Sequence, residues 1–140
     1  MTTLEQHSRE SDSAALEFDL DLTFDHEIRQ GVRELLAAED NAVVNDAVLC
    51  TDELVTNARR HGDPPRSCRI FRRSGPDRLR IEVEDTGAAT PRVRASDDHG
   101  GRGLLLLDRL ALTWGVLTGP EFKTVWAELA LSPSAVPTSA

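Results

Sequence analysis

The 140-residue chain has two cysteines, Cys50 and Cys68, and they lack the paired spacing of a zinc site, so free thiols in a reducing compartment are expected. Its four histidines, His7, His26, His61 and His99, are scattered, which argues against a dedicated metal cage. No hydrophobic run approaches the roughly 18 residues of a membrane span. The polar N-terminus lacks the charged-then-apolar layout of a signal peptide, and a cytoplasmic protein without membrane contact is expected. There is no Gly-x-x-x-x-Gly-Lys-Ser/Thr phosphate loop, and Gly101-x-Gly103 does not follow a strand as a dinucleotide-binding turn would. Internal repeats, a nucleophile elbow and a pair of catalytic carboxylates are also missing.

Charge is plentiful but uneven. The formal net charge is −8, and residues 1–27 hold Glu5, Glu10, Asp12, Glu17, Asp19, Asp21, Asp25 and Glu27 against Arg9 alone. The remainder is close to neutral. Between Arg59 and Arg102 arginines outnumber acids, an excess that favours a small polyanion but is too dilute for a duplex-DNA footprint, so direct nucleic-acid binding is not expected. The length suits one domain with a sizeable core.

Residues 1–15 are polar and acidic without periodicity, which predicts a disordered arm. Leu16 to Leu22 alternates strictly and predicts a strand with Leu16, Phe18, Leu20 and Leu22 inward. Asp25 is placed to cap a helix over His26–Ala38 with Ile28, Val32, Leu35 and Leu36 as its apolar face. A long helix follows, ended by Gly62 and Pro64-Pro65. Ser67–Arg73 and Arg78–Asp85 flank Ser74-Gly75-Pro76-Asp77 and predict a hairpin. Residues 86–101 are rich in turn formers, too long for a simple connection, and form a candidate lid. Arg102–Leu110 reads as a helix, then Thr113–Leu117 and Lys123–Leu131 as two strands around Gly119-Pro120; the tail 132–140 reads as loose.

Three places carry chemistry. At roughly 100° per residue, Glu53 and Asn57 project from one side of the long helix, apart from the stripe of Val44, Ala47, Val48, Thr51, Leu54, Val55 and Ala58. They face either a site or solvent. His61, eight residues after Glu53, borders the same side, though a cation at a helix C-terminus is its ordinary role. Asp85 ends the inward row Leu79, Ile81, Val83, and a carboxylate there needs hydrogen-bond donors unless the strand stops at Glu84. Gly100-Gly101-Arg102-Gly103 offers exposed N–H groups and a positive dipole end to a phosphate, or simply a flexible loop.

Taken together, Glu53-x-x-x-Asn57, Asp85-x-Gly87, Gly101-Arg102-Gly103-Leu104 and Lys123-Thr124-Val125-Trp126 resemble the ordered motifs of the histidine-kinase-like ATPase superfamily shared by sensor kinases, gyrase and mismatch-repair ATPases. The chain looks most like its small anti-sigma factor and serine-kinase group. The resemblance spans residues 16–131 and implies the Bergerat ATP-binding fold. That fold is an α/β two-layer sandwich, a mixed, mainly antiparallel β-sheet covered on one face by about three helices, with ATP between the layers.

The resemblance also implies residue roles. Asn57 would give its oxygen to Mg²⁺, an ion that relies on phosphate oxygens and water for its other ligands. Asp85 would accept from the adenine amino group, Gly87 would let the backbone pass close to the base, and Thr124 would support the same edge through water. Gly100, Gly101 and Gly103 would wrap the phosphates, with Arg102 and Leu104 beside them. Glu53 would be the general base toward an incoming serine or threonine hydroxyl, or toward water. The implied partners are a sigma factor and an anti-anti-sigma antagonist, and a homodimer is admitted. Two departures from the pattern stand out: Ala89 replaces the last glycine of Asp-x-Gly-x-Gly, and Phe122 replaces the glycine before Lys-Thr, where it would narrow the adenine end. Two functions fit. One is a kinase that holds a sigma factor and phosphorylates its antagonist; the other is a non-catalytic module whose ATP state controls partner binding. An adaptor without nucleotide would leave an inward Asp85 unexplained.

Overall fold

The computed structural model of the chain describes residues 15–75, 77–87 and 100–131, the side chains of 100–104 excepted. The expected arm, apart from Ala15, the expected tail 132–140 and most of the expected lid lie outside the described residues. The elements run β1 (Ala15–Asp19), α1 (Asp25–Leu35), α2 (Asn41–His61), β2 (Ser67–Arg73), β3 (Arg78–Asp85), α3 (Gly100–Leu110), β4 (Thr113–Thr118) and β5 (Lys123–Ala130).

The strands form one sheet in the order β1-β2-β3-β5-β4, and every neighbouring pair is antiparallel. The three helices lie on one face: α2 packs on β3 and β5, α1 on β1, and α3 on β4, with α2 between the other two helices. This is the expected α/β two-layer sandwich. Inward residues of facing strands meet in register, Ile70 with Ile81 and Ile81 with Ala127, Cys68 with Val83 and Val83 with Val125. They are buried against Ala47, Val48, Thr51, Leu54, Val55 and Ala58 of α2, the stripe that helical periodicity assigns to the core. Buried Thr51 satisfies its hydroxyl by donating to the Ala47 carbonyl at 2.7 Å.

The β1–α1 junction departs from the sequence expectation. The alternation stops at Asp19, whose carboxylate accepts from the Asp21 N–H at 2.9 Å and whose carbonyl accepts from the Leu22 N–H at 3.0 Å. That turn breaks the two-residue period, so Leu20 is buried while Leu22 is 80% exposed. Asp25 is not the cap either. It is the first helical residue, Phe24 holds the cap position, and the Glu27 carboxylate reaches back to the Phe24 N–H at 3.0 Å. Asp25 instead meets Arg59 of α2 at 2.9 Å. The helix ends at Leu35, three residues before the expected Ala38, where turns from Glu34 and Leu36 take over the chain.

Arg66 closes the far end of α2. Its guanidinium donates to the carbonyl of Ala58, which also accepts from the Gly62 N–H, and to that of Gly62, each at 3.0 Å, and pairs with Asp21 at 2.7 Å. The Arg66 N–H also donates to Asp21, and these two hydrogen bonds hold the Asp21 carboxyl below its ordinary range. On the sheet face away from the helices, Glu128 meets Arg73 at 2.8 Å and Arg80 at 2.9 Å, and the Arg80 guanidinium lies 4.4 Å over the Trp126 ring. Burial pushes the Glu128 carboxyl up, but the hydrogen bonds from Arg80 and Arg73 outweigh it and leave it lowered.

Candidate functional site

Asp85 sits at the inner end of β3 with 1% of its surface exposed. The open alternative, a strand ending at Glu84 with Asp85 in water, is therefore set aside. A buried carboxylate needs donors, and two are present. The Gly87 N–H donates to Oδ1 at 2.7 Å, and Lys123 Nζ stands 3.6 Å from Oδ2. The Lys123 side chain is itself only 3% exposed.

The chain that follows α2 forms the other wall. A methyl group on Gly62 would overlap the Asp85 carboxyl carbon and stand 2.5 Å from Oδ2; one on Gly87 would lie 3.1 Å from Oδ1 and 3.2 Å from the Gly62 Cα. Only glycine lets the two backbones approach this closely. The junction is stitched by Thr86, whose N–H donates to the Asp63 carbonyl at 3.1 Å and whose hydroxyl donates to the Pro64 carbonyl at 2.8 Å.

Glu53 and Asn57 are half-buried on α2 and share a side, one turn apart. At about 1.5 Å per residue, Asn57 lies roughly 7.5 Å and Glu53 roughly 13.5 Å back along the helix axis from Gly62, the residue against Asp85. His61 is exposed in the last turn with Arg59 and Arg60, the ordinary place for a cation. Beside Glu53, burial raises the Asp52 carboxyl even though Arg29 of α1 stands 3.4 Å away.

Thr124 is not at the Asp85 edge. The register pairs Asp85 with Lys123 and Glu84 with Thr124, and paired residues share a face, so the alternation carries Thr124 to the far side of the sheet. There its hydroxyl lies 3.4 Å from Glu84 Oε1. Lys123 holds the place that the motif reading gave to Thr124. The signal was legible: counting two-residue steps along β5 from inward Val125 reaches Lys123. Gly62, a helix stop by sequence, is also the point of close approach to Asp85.

Gly100, Gly101, Arg102, Gly103 and Leu104 open α3, which begins two residues before the expected start at Arg102; their side chains lie outside the described residues, as does Ala89. Phe122 packs in the β4–β5 turn, where its carbonyl accepts from the Gly119 N–H at 2.9 Å and its ring fills the space that a Gly119 side chain would need. Among the described residues there is no group of three or more His, Cys, Asp or Glu that could hold a metal ion. A single carboxamide at Asn57 fits Mg²⁺ only as one ligand of an ion held otherwise by phosphate oxygens and water. Among them, too, no helix is long and apolar enough to cross a membrane.

Comparison with known proteins narrows this geometry. The RsbU and RsbW domains of Rv1364c from Mycobacterium tuberculosis share the fold, with a TM-score of 0.61 at 20% identity over 85% of this chain, which spans 33% of that one. The histidine kinase domain of the blue-light activated histidine kinase EL346 from Erythrobacter litoralis aligns over 93% of this chain and 70% of its own length, at 18% identity and a TM-score of 0.47. No curated protein matches the sequence. Residues 18–129 match the family described as the histidine kinase-like ATPase domain. With a match that covers most of the sequence and a sandwich whose buried carboxylate closes one end, the chain belongs to the histidine kinase-like ATPase domain family, and ATP is the ligand that membership implies.

Proposed function

We propose that the chain is an ATP-binding regulator of the anti-sigma-factor kind that phosphorylates a serine or threonine of an antagonist protein. The observation that carries this reading is the order of groups along α2: buried Asp85 against Gly62, then Asn57, then Glu53. A nucleotide laid along that helix has its base, its phosphates and its terminal phosphoryl group in the same order. Asp85 would accept from the adenine amino group, and Gly62 and Gly87 keep the wall thin enough for the base. Asn57 would give an oxygen to Mg²⁺, which when bound supplies charge neutralisation to the phosphates. The first turn of α3, Gly100 to Leu104, would face the phosphates with its N–H groups.

Glu53 would accept the proton of an incoming hydroxyl as its oxygen bonds to the terminal phosphorus; the bond from that phosphorus to the bridging oxygen breaks, and ADP leaves. A sigma factor and a domain-sized antagonist with an exposed serine are the partners that the motif set suggests, with a homodimer as the assembly to test.

The test is transfer of isotope-labelled terminal phosphate from ATP to candidate antagonists captured with and without nucleotide. Transfer by wild type, slowed about 10²- to 10⁴-fold in Glu53→Gln, is the expected result. A wild type that binds ATP and partner but transfers nothing would sink the kinase reading and favour the non-catalytic module.

A further inference from the structure

Lys123 is the only lysine in a chain with fifteen arginines, and it is among the most buried charged side chains described. It points inward because the β5 register pairs it with Asp85, and its ammonium approaches Oδ2 while the Gly87 N–H holds Oδ1. At 3.6 Å the two charges are paired without the shorter contact of a tight hydrogen bond. The carboxylate is a pure acceptor and the ammonium a pure donor, side by side at the end of the sheet next to Gly62 and Gly87.

We propose that Lys123 is a second base-reading residue of this site, donating to adenine N1 while Asp85 accepts from the 6-amino group. The assignment rests on the nucleotide reading above. Adenine presents a donor at position 6 and an acceptor at position 1, so an acceptor beside a donor is its complement. Hypoxanthine presents an acceptor at 6 and an N–H at 1, and both contacts then oppose. Reading by hydrogen bonding is the stringent kind, because a wrong base leaves buried polar groups unpaired. Arginine at this position would bring a planar fork that is larger and less compact than an ammonium beside one carboxylate.

The experiment measures dissociation constants of ATP, 1-deaza-ATP, which has a C–H in place of N1, and inosine triphosphate, by calorimetry on the full chain. Wild type is expected to bind 1-deaza-ATP at least about tenfold more weakly than ATP, the loss of one hydrogen bond to a charged donor. Inosine triphosphate, with both contacts reversed, binds more weakly still. In Lys123→Met, which keeps the length of the side chain but has no donor, the preference for ATP over 1-deaza-ATP falls to within twofold, while ATP itself binds more weakly. Equal wild-type affinities for ATP and 1-deaza-ATP overturn the assignment without any variant. A preference that survives undiminished in a folded Lys123→Met also overturns it, because another group then reads N1. A wild type that binds none of the three nucleotides overturns the nucleotide reading itself, so the two failures are told apart.

Discussion

Gly62 and Asp85 touch: the Cα that ends α2 lies where any side chain would collide with the carboxylate that ends β3. The two elements are thereby held at one junction, and any side chain added at Gly62 would force the Asp85 carboxylate off its present position. Gly62→Ala should cost about 1–3 kcal/mol, the usual range for overpacking. It should also weaken ATP binding, because Asp85 must shift to make room. Denaturant unfolding and calorimetry on the same variant check both. An alanine variant with wild-type stability would show that the junction is looser than described.

Asp85→Asn keeps the shape and the acceptor for the Gly87 N–H but removes the charge opposite Lys123. Loss of one partner of a buried pair is expected to cost about 3–5 kcal/mol, and ATP affinity should fall at least about tenfold. Melting temperature without ligand reports the first effect, and calorimetry the second.

Glu53 and Asn57 should fail differently if their roles differ. Asn57→Ala would remove the proposed Mg²⁺ ligand, so ATP binding and all activity should drop together. Glu53→Gln should leave nucleotide affinity within about twofold while phosphate transfer slows by two to four orders of magnitude. Parallel binding and single-turnover measurements separate the two outcomes.

Most of this architecture could be read from residue periodicity. The β2–β3 hairpin has its expected limits because both strands alternate cleanly and a turn-forming tetrapeptide separates them. The α2 stripe is equally clear: six of its seven expected positions are buried, Val44 is partly buried against the core, and Cys50 joins them from outside the stripe. Errors arose where a single polar residue outweighed a pattern. Asp19 ends β1 by bonding its own backbone, which no count of hydrophobics reveals, and Leu22 is turned out as a result. Asp25 was a good cap by type but had Arg59 as a stronger, long-range partner. A linear motif carries no strand parity, and the register with β3 puts Lys123, not Thr124, opposite Asp85.

Asp21 makes a pH prediction whose sign follows from its lowered carboxyl. Hydrogen bonds from the Arg66 N–H and guanidinium favour the charged form in the folded state, so the stabilisation is present above the ordinary value of 3.8 and is lost as pH falls through the lower folded value. Asp21→Asn should melt below wild type at pH 7, and the gap should close in strong acid. Melting curves from pH 7 to pH 2 would show it.

The thiols act at the other end of the scale. Burial is the main cause that pushes both Cys50 and Cys68 from 9.0 up to about 12, with nearby carboxylates adding to it. The folded state therefore disfavours the thiolate. Below pH 9 the thiols leave stability unchanged; between pH 9 and pH 12 each should lower it by about 1.4 kcal/mol per pH unit. A thiol reagent at pH 8 should label the native protein slowly, at a rate limited by opening of the core, and label the unfolded chain at once.

The strand order has a kinetic corollary. Neighbours β2 and β3 are joined by a tight turn, whereas β5 reaches β3 only after α3 and β4 have been laid down, and it must enter between β3 and β4. Closing that long loop costs chain entropy before any contact repays it. The hairpin should therefore be structured early in the folding transition state, and the β3–β5 ladder late. Mutations along β5 would then speed unfolding far more than they slow folding. Since Asp85 and Lys123 meet only across that ladder, their charge pair is assembled last on the way in and is the first to part on the way out.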